Sequence, residues 1–197
     1  MSPIRPFAAA MASTLTLTAL LATGCARPAG DSTLPVATTA TADSTELARI
    51  KAEAARQQQN LANFDDLDFN VYSNQKWDQL SRSHAPDIVV HWPDGRTTTG
   101  IEPHIEDLKQ QFVFAPDTKI KTHPIKIAQG DYTAVTGVME GTFSQPMPTP
   151  DGKVIPPTNK PFKLDMVTIG RWEKGVMKEE WLFWDNHAFM QQIGVAK

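Results

Sequence analysis

The stretch GVMKEEWLFWDNHAFMQQIG, residues 175–194, sets Glu179, Glu180 and Asp185 among the large aromatics Trp181, Phe183 and Trp184. A carboxylate in an apolar pocket loses hydration in its charged form, so its pKa rises toward the range where it can take and return a proton near neutral pH. His91 offers the complementary group. It ends the apolar run DIVVH before a turn at Pro93, Asp94 and Gly95, and an unperturbed imidazole already titrates near neutrality. It can orient a carbonyl or exchange a proton, or it can be a hydrogen-bonded strand end. Glu180 and His91 are the candidate catalytic residues. Glu180 also has a plain alternative, a hydrogen bond to Thr168 or to solvent at a rim. Asp185 stands just before Asn186 and a short helical run, which suits a helix N-cap.

Other chemistries find little support. Cys25 is the only cysteine, so a mature chain beginning there has no free thiol, no disulfide and no zinc-thiolate site. His91, Asp94 and His104 match no metal-ligand spacing, and a turn aspartate commonly bonds its own backbone. No metal and no cofactor are therefore expected. Neither a GxSxG elbow nor a glycine-rich phosphate loop occurs.

The N-terminal run MSPIRPFAAAMASTLTLTALLATGC has one basic residue, Arg5, then a largely apolar stretch and a small-residue site, the pattern of a secretory signal. Its end, LLATGC, resembles a bacterial lipobox, which makes Cys25 the expected lipidation site and the membrane an expected partner. Residues 25–44, proline-spaced and polar, read as a flexible tether. Removing residues 1–24 takes away Arg5 and no acid, moving the formal charge from -3 to -4. No basic patch argues for nucleic acid. Residues 45–197 have the size of one domain with a single substantial core. The expected location is the cell envelope, at the outer membrane in a two-membrane bacterium.

Within that domain helices precede strands. Ser44 can cap a helix whose apolar stripe is Leu47, Ile50, Ala54, Leu61 and Phe64. A second helical segment near 74–83 carries Trp77 and Leu80, and EPHIEDLKQQF is a short amphipathic helix. Residues 87–100 read as a strand and turn, and strand-like runs cover 120–129, 132–143, 162–172 and 176–184. His123 shares a face with Ile125 and Ile127, which marks it as core or pocket lining. The insert SQPMPTPDGKVIPPTNKP, residues 144–161, has six prolines and suits a stiff flap at a pocket mouth or a solvated arm. Helices on one side of a curved, mostly antiparallel sheet make an α+β domain.

Three segments carry a resemblance to the SnoaL-like polyketide cyclases of the nuclear transport factor 2-like superfamily. DIVVHWPDGRTTTG is similar to that family's strand ending in an HxP-type turn, IPPTNKPF to its IPPTGKP loop, and residues 175–194 to its GKIVEEWD strand and terminal LLQQLG helix. The resemblance covers about residues 69–195. It implies a conical barrel of strongly curved sheet whose N-terminal helices close a deep pocket, often dimeric through the sheet's outer face. In that family an aspartate on the last strand is the acid/base, with a histidine on the preceding strand. Here Leu182 falls on the aspartate and Thr168 on or near the histidine. The resemblance also places Tyr72 where an aromatic faces the cavity.

The sequence WEKGV suits a three-residue hairpin loop, Glu173 to Gly175, pairing Trp172 with Val176. That register sets Thr168 opposite Glu180, Met166 opposite Leu182 and Leu164 opposite Trp184. If Leu182 marks the pocket face, Glu180 and Trp184 share it. The opposite face, with Val167, Ile169, Trp181 and Phe183, then suits a homodimer contact. Tyr72, Met166, Thr168, Leu182 and Trp184 are the candidate ligand-binding residues.

Two functions follow. One is a noncatalytic, membrane-anchored domain holding a small apolar or aromatic ligand. The other is a SnoaL-like cyclase, isomerase, lyase or hydrolase using Glu180 and His91. The anchor is testable directly: a palmitate analogue is expected to label the wild type and not Cys25→Ser, and equal labelling of both would remove the lipobox reading.

Overall fold

The structure, a computed structural model, describes the backbone of residues 37–197 and the side chains from residue 43 onward. Cys25 and the signal segment lie outside the described residues. A long helix, α1 (Ala37–Asp66), opens the domain and runs into a π-helical turn, Leu67–Val71. Short 3-10 turns follow at Tyr72–Asn74 and Trp77–Arg82. Then come β1 (His84–His91), β2 (Thr97–Thr99), α2 (Ile101–Phe114), β3 (Lys119–Ile120), β4 (Lys126–Gln129) and β5 (Tyr132–Thr142). The chain ends with β6 (Met147–Pro148), β7 (Val154–Ile155), β8 (Pro161–Glu173), β9 (Val176–Trp184) and α3 (Asn186–Gln192).

Seven strands form one sheet in the order β2-β1-β9-β8-β5-β3, with β4 also paired to β5. All pairs are antiparallel except β1 with β9, which run parallel. The α+β architecture agrees with expectation. The sheet is an open cone rather than a closed barrel, since β2 and the β3/β4 pair remain as edges. Two buried clusters fill it. Phe64, Leu80, Ile88, Val90 and Met177 belong to one, and Phe112, Phe143, Phe162, Phe189 and Ile193 to the other.

Several local expectations are corrected. The first helix begins at Ala37, inside the segment read as tether, so Ser44 is an interior helix residue and not a cap. Pro35 is the last helix breaker before an alanine- and threonine-rich run, and alanine favours helix without tertiary contacts. Accordingly Leu47 and Ile50 are exposed, whereas Leu61 and Phe64 are buried. The strand expected over 120–129 is broken between Ile120 and Lys126, around Pro124, which has no N–H for a ladder. Ile125 and Ile127 are exposed. The proline-rich insert forms its own small hairpin from β6 and β7, with Met147 and Ile155 packed on the second core cluster.

The β8–β9 turn also differs. Glu173 pairs with Val176, leaving a two-residue loop of Lys174 and Gly175 with φ of 52° and 85°. Two positive φ values make it the type I′ hairpin turn that matches strand twist. A bulge follows, with Trp172 opposite Met177 but Arg171 opposite Glu179, so that Thr168 meets Leu182 and Met166 meets Trp184. The register is shifted by two residues from the expected one. Because side chains alternate with period two, an even shift keeps Glu180, Leu182 and Trp184 on the face that was read from sequence.

Gly170 sits opposite Glu180, where a Cβ would stand 2.6 Å from Met177 Sδ and 3.1 Å from Trp172 Nε1. Both neighbours are buried, so Gly170→Ala is expected to destabilise the domain by ~1–3 kcal/mol through overpacking. The check is the urea midpoint; an unchanged midpoint would show that the floor of the cone is looser than described.

Candidate active site

The cone encloses a cavity of about 260 Å³. Its walls come from the π-helical turn, α2, α3 and the inner faces of β5, β8 and β9, and Pro93, Asp94 and Arg96 of the β1–β2 turn border it as well. Met139, Leu164, Met166 and Leu182 give it an apolar wall. Arg96 stacks on Trp92 at 4.6 Å from the ring centroid and reaches Asp107 at 2.8 Å. Trp92 Nε1 donates to Thr98 Oγ1 at 2.9 Å, and that hydroxyl donates to Asp107 at 2.6 Å. Trp92 is thus fixed both over its face and at its edge.

Three polar side chains lie buried together in this wall. Glu180 comes from β9, His84 from the start of β1 and His104 from α2, with exposures of 4%, 1% and 1%. Glu180 Oε2 stands 3.6 Å from His84 Nε2 and 3.6 Å from His104 Nε2. Those distances exceed an ordinary hydrogen bond, and His84 Nε2, His104 Nδ1 and Glu180 Oε2 have no hydrogen-bond partner. Ser83 fixes the orientation of one ring. Its hydroxyl donates to the Leu80 carbonyl at 3.1 Å and lies 2.8 Å from His84 Nδ1. The His84 ring is thereby held through Nδ1, with Nε2 turned toward Glu180. Irregular pairing of β1 on β9 between His84 and Val89, around Pro86, allows His84 to reach the inner face; bulges often re-aim side chains beside active sites.

Burial opposes ionisation of Glu180, but His84 and His104 outweigh it and hold the carboxyl below its usual range. Burial dominates at His104 and pushes its pKa down to about 4, against partial support from Glu180. Asp68 is the other buried carboxylate of the cavity. Burial raises its pKa even though His123 favours the charged form, and the Glu180 charge adds to the rise. Two carboxyl groups pushed in opposite directions within one cavity are what acid/base division of labour requires.

Asp68 is reached from behind by His123, whose Nε2 lies 2.8 Å from Asp68 and whose Nδ1 lies 2.7 Å from Asp65. The ring stacks on Phe69 with centroids 4.4 Å apart, and Lys126 meets Asp65 at 2.6 Å. Carboxylates at both ring nitrogens favour the imidazolium. Although burial works against it, they raise the His123 pKa above its ordinary value. The π-helical turn that carries Asp68 is of the kind often found at functional sites.

Of the residues expected to line a pocket, Tyr72, Met166, Thr168, Leu182 and Trp184 border the cavity, as does Glu180. His91 does not, which corrects its place in a catalytic pair with Glu180. It stacks on Trp181 at 5.1 Å and meets Glu179 at 3.0 Å, because Val90 and His91 alternate and Val90 takes the buried position. Asp185 caps α3, accepting from Ala188 N at 2.9 Å. His123, read as core or pocket lining, has its side chain 1% exposed, as part of an ion-pair chain.

His84 and Asp68 escaped the sequence reading, and His104 entered it with the wrong partners. A signal was present for two of them. His104 interrupts the apolar stripe of Ile101, Ile105, Leu108 and Phe112, and Asp68 sits at helical spacing between Phe64 and Tyr72. A polar residue inside an apolar stripe is the informative exception.

The family model for SnoaL-like polyketide cyclases matches residues 65–193. The chain belongs to this family. Its fold resembles a candidate SnoaL-like polyketide cyclase from Jannaschia sp. CCS1, with a TM-score of 0.62 at 20% identity over 72% of this chain and 95% of that one. IdmH from Streptomyces antibioticus, described as a candidate polyketide cyclase, aligns with a TM-score of 0.59 at 26% identity over 70% and 99% of the two chains. TsrD from Streptomyces laurentii aligns at 0.56 and 20% identity over 72% and 96%. No curated protein matches the sequence. In this SnoaL-like domain Leu182 lies in the cavity wall next to a buried acid two residues earlier on the same strand face.

The His123 chain has a pH signature. A raised histidine pKa stabilises the fold fully below the ordinary value of 6.5, and that contribution is lost as pH rises through the higher folded value. The urea midpoint of the wild type is therefore expected to fall above neutral pH more steeply than that of His123→Asn. Parallel pH profiles would contradict the ion-pair chain.

Proposed function

We propose that this SnoaL-like domain is an acid/base enzyme of the cyclase, isomerase or lyase class, acting on a small, largely apolar carbonyl compound. The observation that carries this reading is the group of unpartnered polar atoms on Glu180, His84 and His104 in an otherwise apolar cavity. Such atoms cost stability wherever they are left unpaired, and a substrate oxygen entering the cavity can pair with them. In this reading the Glu180 cluster and Asp68 share the proton traffic. A C–H bond next to the carbonyl breaks, its proton passes to a carboxylate, and the oxygen that gains charge takes a proton from the other group. Leu182 leaves the family's usual acid position without an ionisable group, and Glu180, held ionised, supplies a proton acceptor on the same strand face.

The aromatic and apolar wall favours a ring-containing or hydrocarbon-rich ligand, with Tyr72, Met166, Leu182 and Trp184 as contacts. A purely ligand-holding role is the second reading, favoured by Leu182. Anchoring through Cys25 and homodimerisation through the outer face complete the proposal. On that face Phe183 and Tyr132 are 49% and 48% exposed, and contiguous exposed apolar surface commonly marks a contact. Among the described residues no helix is long and apolar enough to cross a membrane.

The test is to identify a co-purified small molecule by mass spectrometry and follow its conversion. Glu180→Gln and Asp68→Asn are each expected to lower turnover by roughly a hundredfold or more, while His91→Ala leaves it unchanged. Trp184→Ala is expected to weaken binding. Conversion that persists in both carboxylate variants would remove the enzyme reading, and a bound compound that no variant and no wild type converts would leave the holding role.

A further inference from the structure

We infer that His84, His104 and Glu180 form a three-ligand site for a divalent transition-metal ion of the zinc class, with an open coordination position facing the cavity. Two imidazoles and one carboxylate are a common ligand set of catalytic zinc, the fourth position being left to water or substrate. Here one ligand comes from each of three elements, and the candidate ligand atoms all lie within 4.8 Å of one another.

The distances favour an ion over direct pairing. Glu180 Oε2 lies 3.6 Å from a nitrogen of each histidine. Hydrogen bonds of this type are about 2.7–3.2 Å long. Two ligands bound about 2.0–2.2 Å from a tetrahedral ion stand roughly 3.3–3.6 Å apart. The two separations from Glu180 are those of a coordination edge, and with all the ligand atoms within 4.8 Å of one another rotation of two rings whose centroids lie 5.1 Å apart would complete the set.

Proton accounting points the same way. The Ser83 contact holds the His84 ring through Nδ1 and leaves Nε2 without a partner, facing Glu180 Oε2, which has none either. A metal-binding histidine is usually fixed through its other nitrogen in this manner. At His104, Nδ1 has no partner, so that nitrogen can turn to an ion without breaking a bond. A single proton can join only two of these three groups, whereas one metal ion can join all three. The same set draws zinc, cobalt(II) or nickel(II) rather than calcium or magnesium, which prefer oxygen ligands.

The binding of the ion is independent of the proposed reaction, but its role there rests on that reading. A cation at this place would polarise a substrate oxygen and leave Asp68, held by His123, as the proton-exchanging group. His91, on the other face of the sheet with Trp181 and Glu179, has no part in the site and provides a control.

The experiment uses the full chain, stripped with a chelator and titrated with Zn²⁺ by calorimetry and with Co²⁺ by visible absorption. The expected result is one ion per chain, with the intense d–d bands of a low-coordinate cobalt site. Affinity should fall by about 100-fold or more in His84→Ala, His104→Ala and Glu180→Gln, and remain unchanged in His91→Ala. Should a variant fail to fold, histidine ring NMR of the wild type supplies the answer, since Zn²⁺ is expected to shift the nitrogen resonances of His84 and His104 and spare those of His91 and His123. A folded wild type that takes up no ion, or binding that ignores all three substitutions, would overturn the inference. Turnover is scored separately. A metal-free protein that still converts substrate through Glu180 and Asp68 removes the ion from the reaction and leaves the proposed function standing, the site itself being judged by the titration alone, whereas a bound ion without any turnover leaves the site and removes the proposed function.

Discussion

The constraint on which the structure turns is the cost of burying ionisable groups beside an apolar cavity. An unpaired polar group taken out of water costs several kcal/mol, and an unpaired charge more. Glu180, His84, His104 and Asp68 all bear that cost in one cone, and much of the local architecture can be traced to the devices that offset it. Ser83 orients His84, and His123 supports Asp68 from outside the cavity. The irregular pairing of β1 with β9 and the bulge after the Lys174–Gly175 turn set which residues meet Glu180. Gly170, opposite it, leaves room for Met177 and Trp172.

This arrangement also separates the two faces of the last strand. Glu180, Leu182 and Trp184 look into the cavity, while Glu179 meets Arg171 at 3.2 Å and His91 on the other side. Burial of His91 and Glu179 is only partial, and Glu179 is paired with both His91 and Arg171, so its charge is matched at a surface instead of stored in a cavity. The position that resemblance assigns to the acid holds Leu182, and a step of two residues along a strand returns to the same face. A family member can thus lose the acid at one position and hold another within the same cavity without changing its fold.

Period-two alternation explains how much of the site was legible. The inward set on β8 and β9 was readable although the exact pairing was not, because the actual register differs by an even number of residues. The hairpin misreading came from a bulge at Lys178, which pattern alone does not reveal. His91 was misplaced for the opposite reason: a single step along β1 exchanges the faces, and the residue next to it, Val90, was the buried one. The cluster of His84, His104 and Glu180 was illegible as a motif because its members are 20 and 76 positions apart in the chain and meet only through the parallel β1–β9 pair and the packing of α2. Helix α1 extended further than its composition suggested, since alanine-rich helix needs no buried face to form.

The central claim is that the polar patch of Glu180, His84 and His104 is where this domain meets its ligand. The most direct measurement is a high-resolution crystal structure of the protein with its co-purified or soaked carbonyl compound. The expected result is a ligand inside the cone, its oxygen within hydrogen-bonding or coordination reach of that cluster and its apolar part against Leu182 and Trp184. A ligand seated instead on the outer face beside His91, Trp181 and Glu179, with the cavity filled by its own side chains, would contradict the account.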